Sequence, residues 1–471
     1  MDIRNRPVIS IDLGTTAIKM TLFDEDRQSQ QYFHYRLRES IIEGDRYALS
    51  WPEIWQAVQE GLMQLRPSKA YDILLTSAMH SLVLLDQTMT PTSDLMTWAD
   101  NRAKNQVVFP LTDHDLSVYQ RTGTPIHAMT PYVKLLWFKD QGLIPANCKI
   151  GSVKDLLFYH LTEDWAIDVS NASATGLYEW TLKQWDPMIL KELDIQRDAL
   201  PSIVPIDHTM PLNPSLNLGQ ARVVIGSSDG VSATAVHQSI NKCAVLSIGT
   251  SSAVRVIMNQ PILNPQLMNF AYTINDGSFL VGLPSNTGGN VLDWICRQHE
   301  LSYDQMLEIV AKRPISQAVF LPYVFGERAP LWRSQTQPMW LMKDGNLSQE
   351  ETVYAQVCGV FYHIAYLLDQ LALTIDFTNL AVTGGGLSSP ILLSLLCDIL
   401  NRQILVAQRP ALETFGSLAL LTAHPLDLAI QTLSPDPTAS RLLQANYETF
   451  KAGLMHLLKK GAGPKNTKAK S

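Results

Sequence analysis

The 471-residue chain carries 37 Lys and Arg against 44 Asp and Glu, a formal net charge of −7, with 46% hydrophobic residues. That size predicts more than one domain, each with a large buried core. The acidic balance excludes a broad nucleic-acid-binding face, which needs clustered Lys and Arg, so any anionic ligand must be captured by local groups.

Val8 to Phe23, VISIDLGTTAIKMTLF, predicts a strand, a tight turn at Gly14, Thr15 and Thr16, and a second strand. Trp51, Ile54, Trp55, Val58, Leu62 and Leu65 recur at helical spacing, with Ser50 as N-cap and Pro52 and Glu53 in the first turn. Residues 72–86, DILLTSAMHSLVLLD, read as two apolar strands around a polar break at Ser77 to Ser81. T-W-A-D-N-R (97–102) makes a second polar break. Pro- and Asn-rich stretches at 201–218 and 258–267 read as surface connections. Arg222 to Ile225 is a strand running into S-S-D-G (227–230), with a helix from about Val231. T-G-G-G-L (383–387) lies between the strand Leu380 to Val382 and the helix Pro390 to Leu400.

One repeat organises the chain. AVLSIGTSSAVRVI (244–257) echoes VISIDLGTTAIKMTLF half a chain length later, with Ile248-Gly249-Thr250-Ser251 matching Leu13-Gly14-Thr15-Thr16. An offset that long is no solenoid period. It predicts two related domains, each opening on a strand–turn–strand, and Asp12 of the first becomes Ser247 in the second. The expected division is 1–237, 238–458 and a flexible basic tail at 459–471.

The turns carry the chemistry. Phosphoryl transfer needs groups that hold phosphates, a hard divalent cation, and a base at the attacking hydroxyl. A Gly-Thr-Thr turn offers backbone N–H and hydroxyl donors without bulk. Asp12 offers an oxygen ligand for Mg²⁺, and Lys19 is placed to reach a phosphate oxygen. Asp229 at a strand end can take the proton of a substrate hydroxyl. The alternatives are an ordinary hairpin turn and a helix-capping aspartate. The glycines of T-G-G-G-L let a backbone approach a nucleotide closely, as do those of N-T-G-G-N (286–290). The breaks around Met79, His80, Trp98, Asp100 and Arg102 combine planar polar groups with apolar faces, as polyol recognition requires.

Five cysteines, Cys148, Cys243, Cys296, Cys358 and Cys397, form no C-x-x-C pair and suit a reducing compartment. No run approaches the roughly 18 apolar residues of a membrane helix, and MDIRNRPVIS lacks a signal-peptide core. The expected setting is cytoplasmic, with no membrane and no nucleic-acid partner.

From Val8 to about His424 the chain resembles the FGGY carbohydrate kinases, and among them the gluconokinases. The first family signature is carried by M-T-P-Y-V-K-L-L-W-F-K-D-Q (129–141), and T-G-G-G-L matches the core of the second. S-A-M-H-S (77–81), T-W-A-D-N-R, R-T-G-T-P-I-H (121–127), I-G-S-S-D-G (225–230) and G-E-R-A-P-L-W (326–332) carry the narrower likeness. The resemblance implies an α/β fold of two actin-like, ribonuclease-H-like ATPase domains, with ATP and sugar meeting in an inter-domain cleft. It implies Asp229 as catalytic base, with Asp12 and Asp229 near Mg²⁺. It places Gly14, Thr15, Thr16, Gly249, Thr250 and Ser251 on phosphate, Gly288 beside the transferred group, and Gly384, Gly385 and Gly386 along the nucleotide. Met79, His80 and Trp98 are implied to contact the sugar, with Asp100 and His127 beside them. For the carboxylate of gluconate, Arg102 is the first candidate, with His127 and Lys134 behind it. Cys358-Gly359-Val360, Thr414 to Leu418 and Pro338 to Lys343 depart from the family pattern. The expected partners are ATP and a small sugar or sugar acid, and a homodimer is the assembly considered. The competing readings are a kinase for xylulose, ribulose or glycerol, a non-catalytic sugar- or nucleotide-binding regulator, and an actin- or chaperone-like ATPase.

Overall fold

In a computed structural model, which describes residues 6–314, 318–341, 347–385, 389–407, 412–421 and 429–461, the opening segment pairs as its pattern predicts. Strand β1 (Val8–Leu13) runs antiparallel to β2 (Ala17–Phe23), and β2 to β3 (Ser29–Arg36). On its other edge β1 pairs in parallel with β4 (Tyr71–Ser77). Between them, α1 (Trp51–Leu65) starts on the predicted cap, Ser50, whose side chain accepts the Glu53 N–H.

Contacts divide the chain into two units: Met1–Ser239, Val256–Val281 and Arg409–Asp427, and Ile240–Arg255, Gly282–Gln408 and Leu428–Ser471. In the first unit, further labelled elements are α2 (Pro131–Asp140), α3 (Val153–Thr162) and α4 (Val169–Ser173). After them come β5 (Thr209–Pro211), β6 (Ala221–Ser228) and α5 (Asp229–Ala235). The sheet order is β5-β6-β4-β1-β2-β3. Its two faces follow from strand alternation. Ile9, Ile11 and Leu13 enter a core with Ile54, Val58 and Leu62 of α1 and Val153, Leu156 and Leu157 of α3. The opposite face is partly polar: Ser10 Oγ donates to the Thr414 carbonyl at 2.5 Å, and the Thr21 and Thr414 hydroxyls meet at 2.8 Å. Thr76 hydrogen-bonds Ser417. The helix Leu412–Leu421 therefore covers this sheet, although it lies late in the second half of the sequence. Phe415, one of the departures noted above, packs on Phe23 with ring centroids 5.6 Å apart. A second core in this unit joins Leu82, Leu84 and Met96 to Tyr119, Tyr132 and Val133.

The stretch 201–218 is not only a connection. It holds the short strands Ser202–Val204 and β5. Three-residue strands show too few alternations to read, and Pro211 ends an edge strand, where its missing N–H costs nothing.

In the second unit, β7 (Cys243–Ile248) and β8 (Ser252–Met258) repeat the opening hairpin. β9 (Ser278–Ser285) lies beyond β8, and both β8 and β9 have residues counted with each unit. After α6 (Gln349–Ala372) come β10 (Asn379–Thr383), α7 (Pro390–Leu400), β11 (Ile404–Ala407) and β12 (Ile430–Leu433). The order β9-β8-β7-β10-β11 repeats β3-β2-β1-β4-β6 strand for strand, and the edge beyond differs, since β12 follows β11 in the chain whereas β5 precedes β6. The register repeats as well, since Ser247 stands opposite Thr383 as Asp12 stands opposite Thr76. The echo in the sequence is a duplicated sheet.

Cys358, Gly359 and Val360 are buried within α6, and a Cβ on Gly359 would lie 2.3 Å from the Phe320 carbonyl oxygen. Met339–Leu341 forms a strand with Val319–Leu321, whereas Met342 and Lys343 lie outside the described residues. Of the expected tail, residues 459–461 close the helix Pro437–Gly461, and 462–471 lie outside the described residues. Among the described residues no helix is long and apolar enough to cross a membrane.

Candidate active site

Three parallel strands of the first unit end level. Leu13 of β1, Ser77 of β4 and Ser228 of β6 share one row. Ligand sites of open α/β sheets form beyond such carboxyl ends. The loops that leave them are the turn at Gly14 to Thr16, the break at Ala78 to Ser81, and Asp229-Gly230.

The first turn is closed by Gly14 N–H donating to Ala17 O at 3.0 Å, while Thr16 O accepts the Leu37 N–H at 3.0 Å. Asp12, half-buried, stands in register opposite Lys19. Asp229 is the first residue of α5, also half-buried, and its Oδ1 accepts the Gly230 N–H at 2.7 Å. The cap of that helix is Ser228, which accepts the Val231 N–H. Asp229 is therefore not the N-cap. Asp12 and Ser227 share the row of Thr76, two strand spacings, about 10 Å, apart.

The two polar breaks come together because Leu82 and Met96 exchange backbone hydrogen bonds of 2.9 and 2.8 Å. A small depression is lined by Leu13, Gly14, Thr15, Met79, Thr97 and Trp98. It joins the Gly14–Thr16 turn to the predicted sugar segment. A larger concavity of this unit, bordered by Gln87, Lys139, Asn147, Lys149, Asp194 and Gln196, contains none of the predicted site residues.

Lys134 organises the breaks from below. Fully buried, it donates to the carbonyls of His80 at 2.7 Å, Thr97 at 2.7 Å and Met129 at 2.9 Å. Burial pushes its pKa down to about 7, with Asp100 opposing. His80 adopts a left-handed backbone, φ 67°, rare for a residue with a side chain. Its Nδ1 lies 2.8 Å from the Ala174 carbonyl, which can only accept, so Nδ1 carries the proton and Nε2 faces Tyr272 Oη at 3.5 Å.

Arg102 is heavily engaged. Its Nε and Nη2 donate to the buried Asp100, its Nη1 donates to Asp94 at 2.8 Å, and the guanidinium lies 5.4 Å over Trp137. Asp94 is also gripped by Arg46, the main reason its carboxyl sits below the usual range. His127 accepts the Met129 N–H on Nδ1 at 3.1 Å, which leaves any ring proton on Nε2.

The second unit carries the matching turn, with Gly249 N–H donating to Ser251 O at 2.9 Å and both Gly249 and Thr250 exposed. Gly289 N–H and Asn290 N–H return to the carbonyls of Gly249 and Thr250. Gly288 cannot be larger, since a Cβ there would lie 2.7 Å from the Ser251 carbonyl carbon. Glu327 secures the same loop by accepting from Asn286 N–H at 2.7 Å and Thr287 Oγ1 at 2.6 Å, with His363 3.4 Å away. Gly384 and Gly385 are exposed after β10, and Gly386 lies outside the described residues.

Residues 7–235 match the N-terminal domain, and residues 244–424 the C-terminal domain, of the FGGY family of carbohydrate kinases. The chain belongs to this family. Its curated relatives include the gluconokinase of Bacillus subtilis (strain 168), 30% identical over 456 residues, covering 88% of this chain and 86% of that protein. A xylulose kinase of Lactococcus lactis is 25% identical, over 94% of this chain and 95% of that one. Crystal structures of a gluconate kinase and a ligand-bound xylulose kinase, both from Lactobacillus acidophilus, each superpose with a TM-score of 0.89 at 24% identity. Each covers 97% of this chain and 99% of its own. The duplicated sheets are thus the two α/β domains of an FGGY kinase.

For FGGY kinases ATP is the phosphoryl donor, generally with Mg²⁺. Among the described residues no group of three or more His, Cys, Asp and Glu forms a closed metal cage. Magnesium brought in on phosphates needs only one or two carboxylates, and Asp12 and Asp229, leaving one sheet edge, fit that open pattern.

Sequence reading missed what lies under these loops: the Lys134 clamp, the Glu327 network, and the buried charges Lys154 and Asp168. A signal existed for the last, because Lys154 and Asp155 interrupt an otherwise apolar helical run, VKDLLFYHL.

Proposed function

We propose that this FGGY kinase phosphorylates D-gluconate to 6-phosphogluconate, with Asp229 as general base. In the proposed step, the substrate hydroxyl gives its proton to the Asp229 carboxylate as its oxygen bonds the γ-phosphorus. The bond from that phosphorus to the β–γ bridging oxygen breaks, and ADP leaves with the electron pair. The Gly14–Thr16 turn, with Lys19, is proposed to hold phosphate oxygens. The Gly249–Ser251 turn, Gly288 and the Gly384–Gly385 backbone are proposed to bind the nucleotide. Mg²⁺, held by Asp12 and Asp229, would neutralise charge on the phosphates.

The single observation that carries the reading is the row of strand ends that gathers Asp12, the Met79–His80 break and Asp229 at one edge of the first sheet. For the acceptor, Met79, His80 and Trp98 are proposed to meet the sugar, with Asp100 holding Arg102 and His127 at the margin. Arg102 has N–H groups beyond the three given to Asp94 and Asp100, and these are proposed to reach the gluconate carboxylate. Gluconate is supported by 30% identity to the Bacillus gluconokinase against 25% to the Lactococcus xylulose kinase. The 25% identity to the Lactococcus xylulose kinase, over 94% of this chain, supports a second reading, a xylulose kinase.

A phosphorylation panel of gluconate, xylulose, ribulose and glycerol with Mg·ATP decides between them. Gluconate should give the highest kcat/KM by at least about tenfold, and Arg102→Ala should lose gluconate selectively. Preference for xylulose, or an Arg102→Ala KM for gluconate within about twofold of the parent, would overturn the respective assignment.

A further inference from the structure

Beneath the strand end that carries Asp229 lies a buried charged assembly that the proposed chemistry does not use. Lys154 of α3 and Asp168, the N-cap of α4, are both 0% exposed, with Nζ and Oδ2 2.6 Å apart. Asp168 also accepts the Ser170 hydroxyl at 2.5 Å, the Ser170 and Asn171 N–H groups, and Asn171 Nδ2 at 2.8 Å.

Two further bonds leave this assembly, and both end on one peptide group. Lys154 Nζ donates to the Ser227 carbonyl at 3.0 Å. Ser170 Oγ accepts the Ser228 N–H at 3.0 Å. Because the Asp168 carboxylate only accepts, the Ser170 proton points at it and the lone pair faces Ser228. Both polar atoms of the 227–228 peptide are therefore held by side chains, one residue before Asp229. That peptide follows a bulge, where Gly226 at φ 66° breaks the ladder between Val224 and Ser227. Without outside support the chain there would be the least constrained part of the strand.

Packing alone does not explain the charges. Burying an ion pair carries a desolvation penalty, and apolar side chains of like volume fill such a space without it. What the pair supplies, and apolar groups cannot, is the orientation of a peptide plane.

We infer that Lys154, Asp168 and Ser170 are positioning residues that aim the Asp229 carboxylate at the acceptor hydroxyl; the inference rests on the reading of Asp229 as base. The test is a double-mutant cycle on the full-length enzyme, using Ser170→Ala with and without Asp229→Asn. Ser170→Ala should lower kcat about tenfold, with KM for sugar and for ATP within about twofold. In the Asp229→Asn background the same change should leave the residual rate unaltered, because there is no base left to aim. Lys154→Met with Asp168→Asn, which removes both charges together, should repeat the pattern, and guards against a single variant that fails to fold. No loss of kcat in Ser170→Ala, or an equal loss in both backgrounds, overturns the inference. Failure of the underlying reading looks different: Asp229→Asn alone would retain more than a tenth of the parent kcat.

Discussion

Lys134 gives three N–H groups to three carbonyls from segments 80, 97 and 129, and the geometry suits an ammonium. Removing it strands three acceptors at once, and an unpaired buried acceptor costs about 1–3 kcal/mol. Lys134→Met should lower unfolding free energy by about 3 kcal/mol or more in urea titrations. It should also raise the sugar KM more than the ATP KM, because the loosened segments carry Met79, His80 and Trp98. Unchanged stability would show that the clamp is dispensable. At this scale the residue types were legible and their partners were not. Arg102 reads as a cation available for a sugar acid, yet Asp94, eight positions earlier, takes part of its hydrogen-bonding capacity. Asp229 reads as a helix cap or as a base until Ser228 is seen to do the capping.

Hairpins and amphipathic helices were legible because their periods are local: the β1–β2 and β7–β8 turns, α1 from its Ser50 cap, and α7 over the expected residues. Docking partners were not, since a pattern says which face of a helix is buried and not against what. The helix Leu412–Leu421 is the clear instance. Its Thr414 and Ser417 bond to Ser10, Thr21, Thr76 and Ser232, residues 185 to 404 positions earlier. Gly416 lets it approach α5, the helix that begins with Asp229. A Cβ there would sit 2.1 Å from the Ser232 carbonyl oxygen, a backbone atom that cannot swing away. Gly416→Val should therefore destabilise the protein by roughly 1–3 kcal/mol, read as a lower thermal midpoint. A midpoint equal to the parent's would mean that the helix is not seated on α5.

Across the whole molecule, one sheet plan is used twice, and only the first copy keeps a carboxylate at the Asp12 position. The duplication was visible in the sequence because both copies retain the Gly-Thr turn. The family assignment adds that this plan belongs to carbohydrate kinases. With a net charge of −7, the protein offers phosphates no general attraction, so local groups have to do the holding. The most direct test of the account is ADP release at saturating Mg·ATP, with and without gluconate, in the parent and in Asp229→Asn. Release should rise at least about tenfold with gluconate in the parent and fall a hundredfold or more in the variant, about the share a positioned base contributes. Release that ignores the sugar, or persists at parental rate without the Asp229 carboxylate, would contradict it.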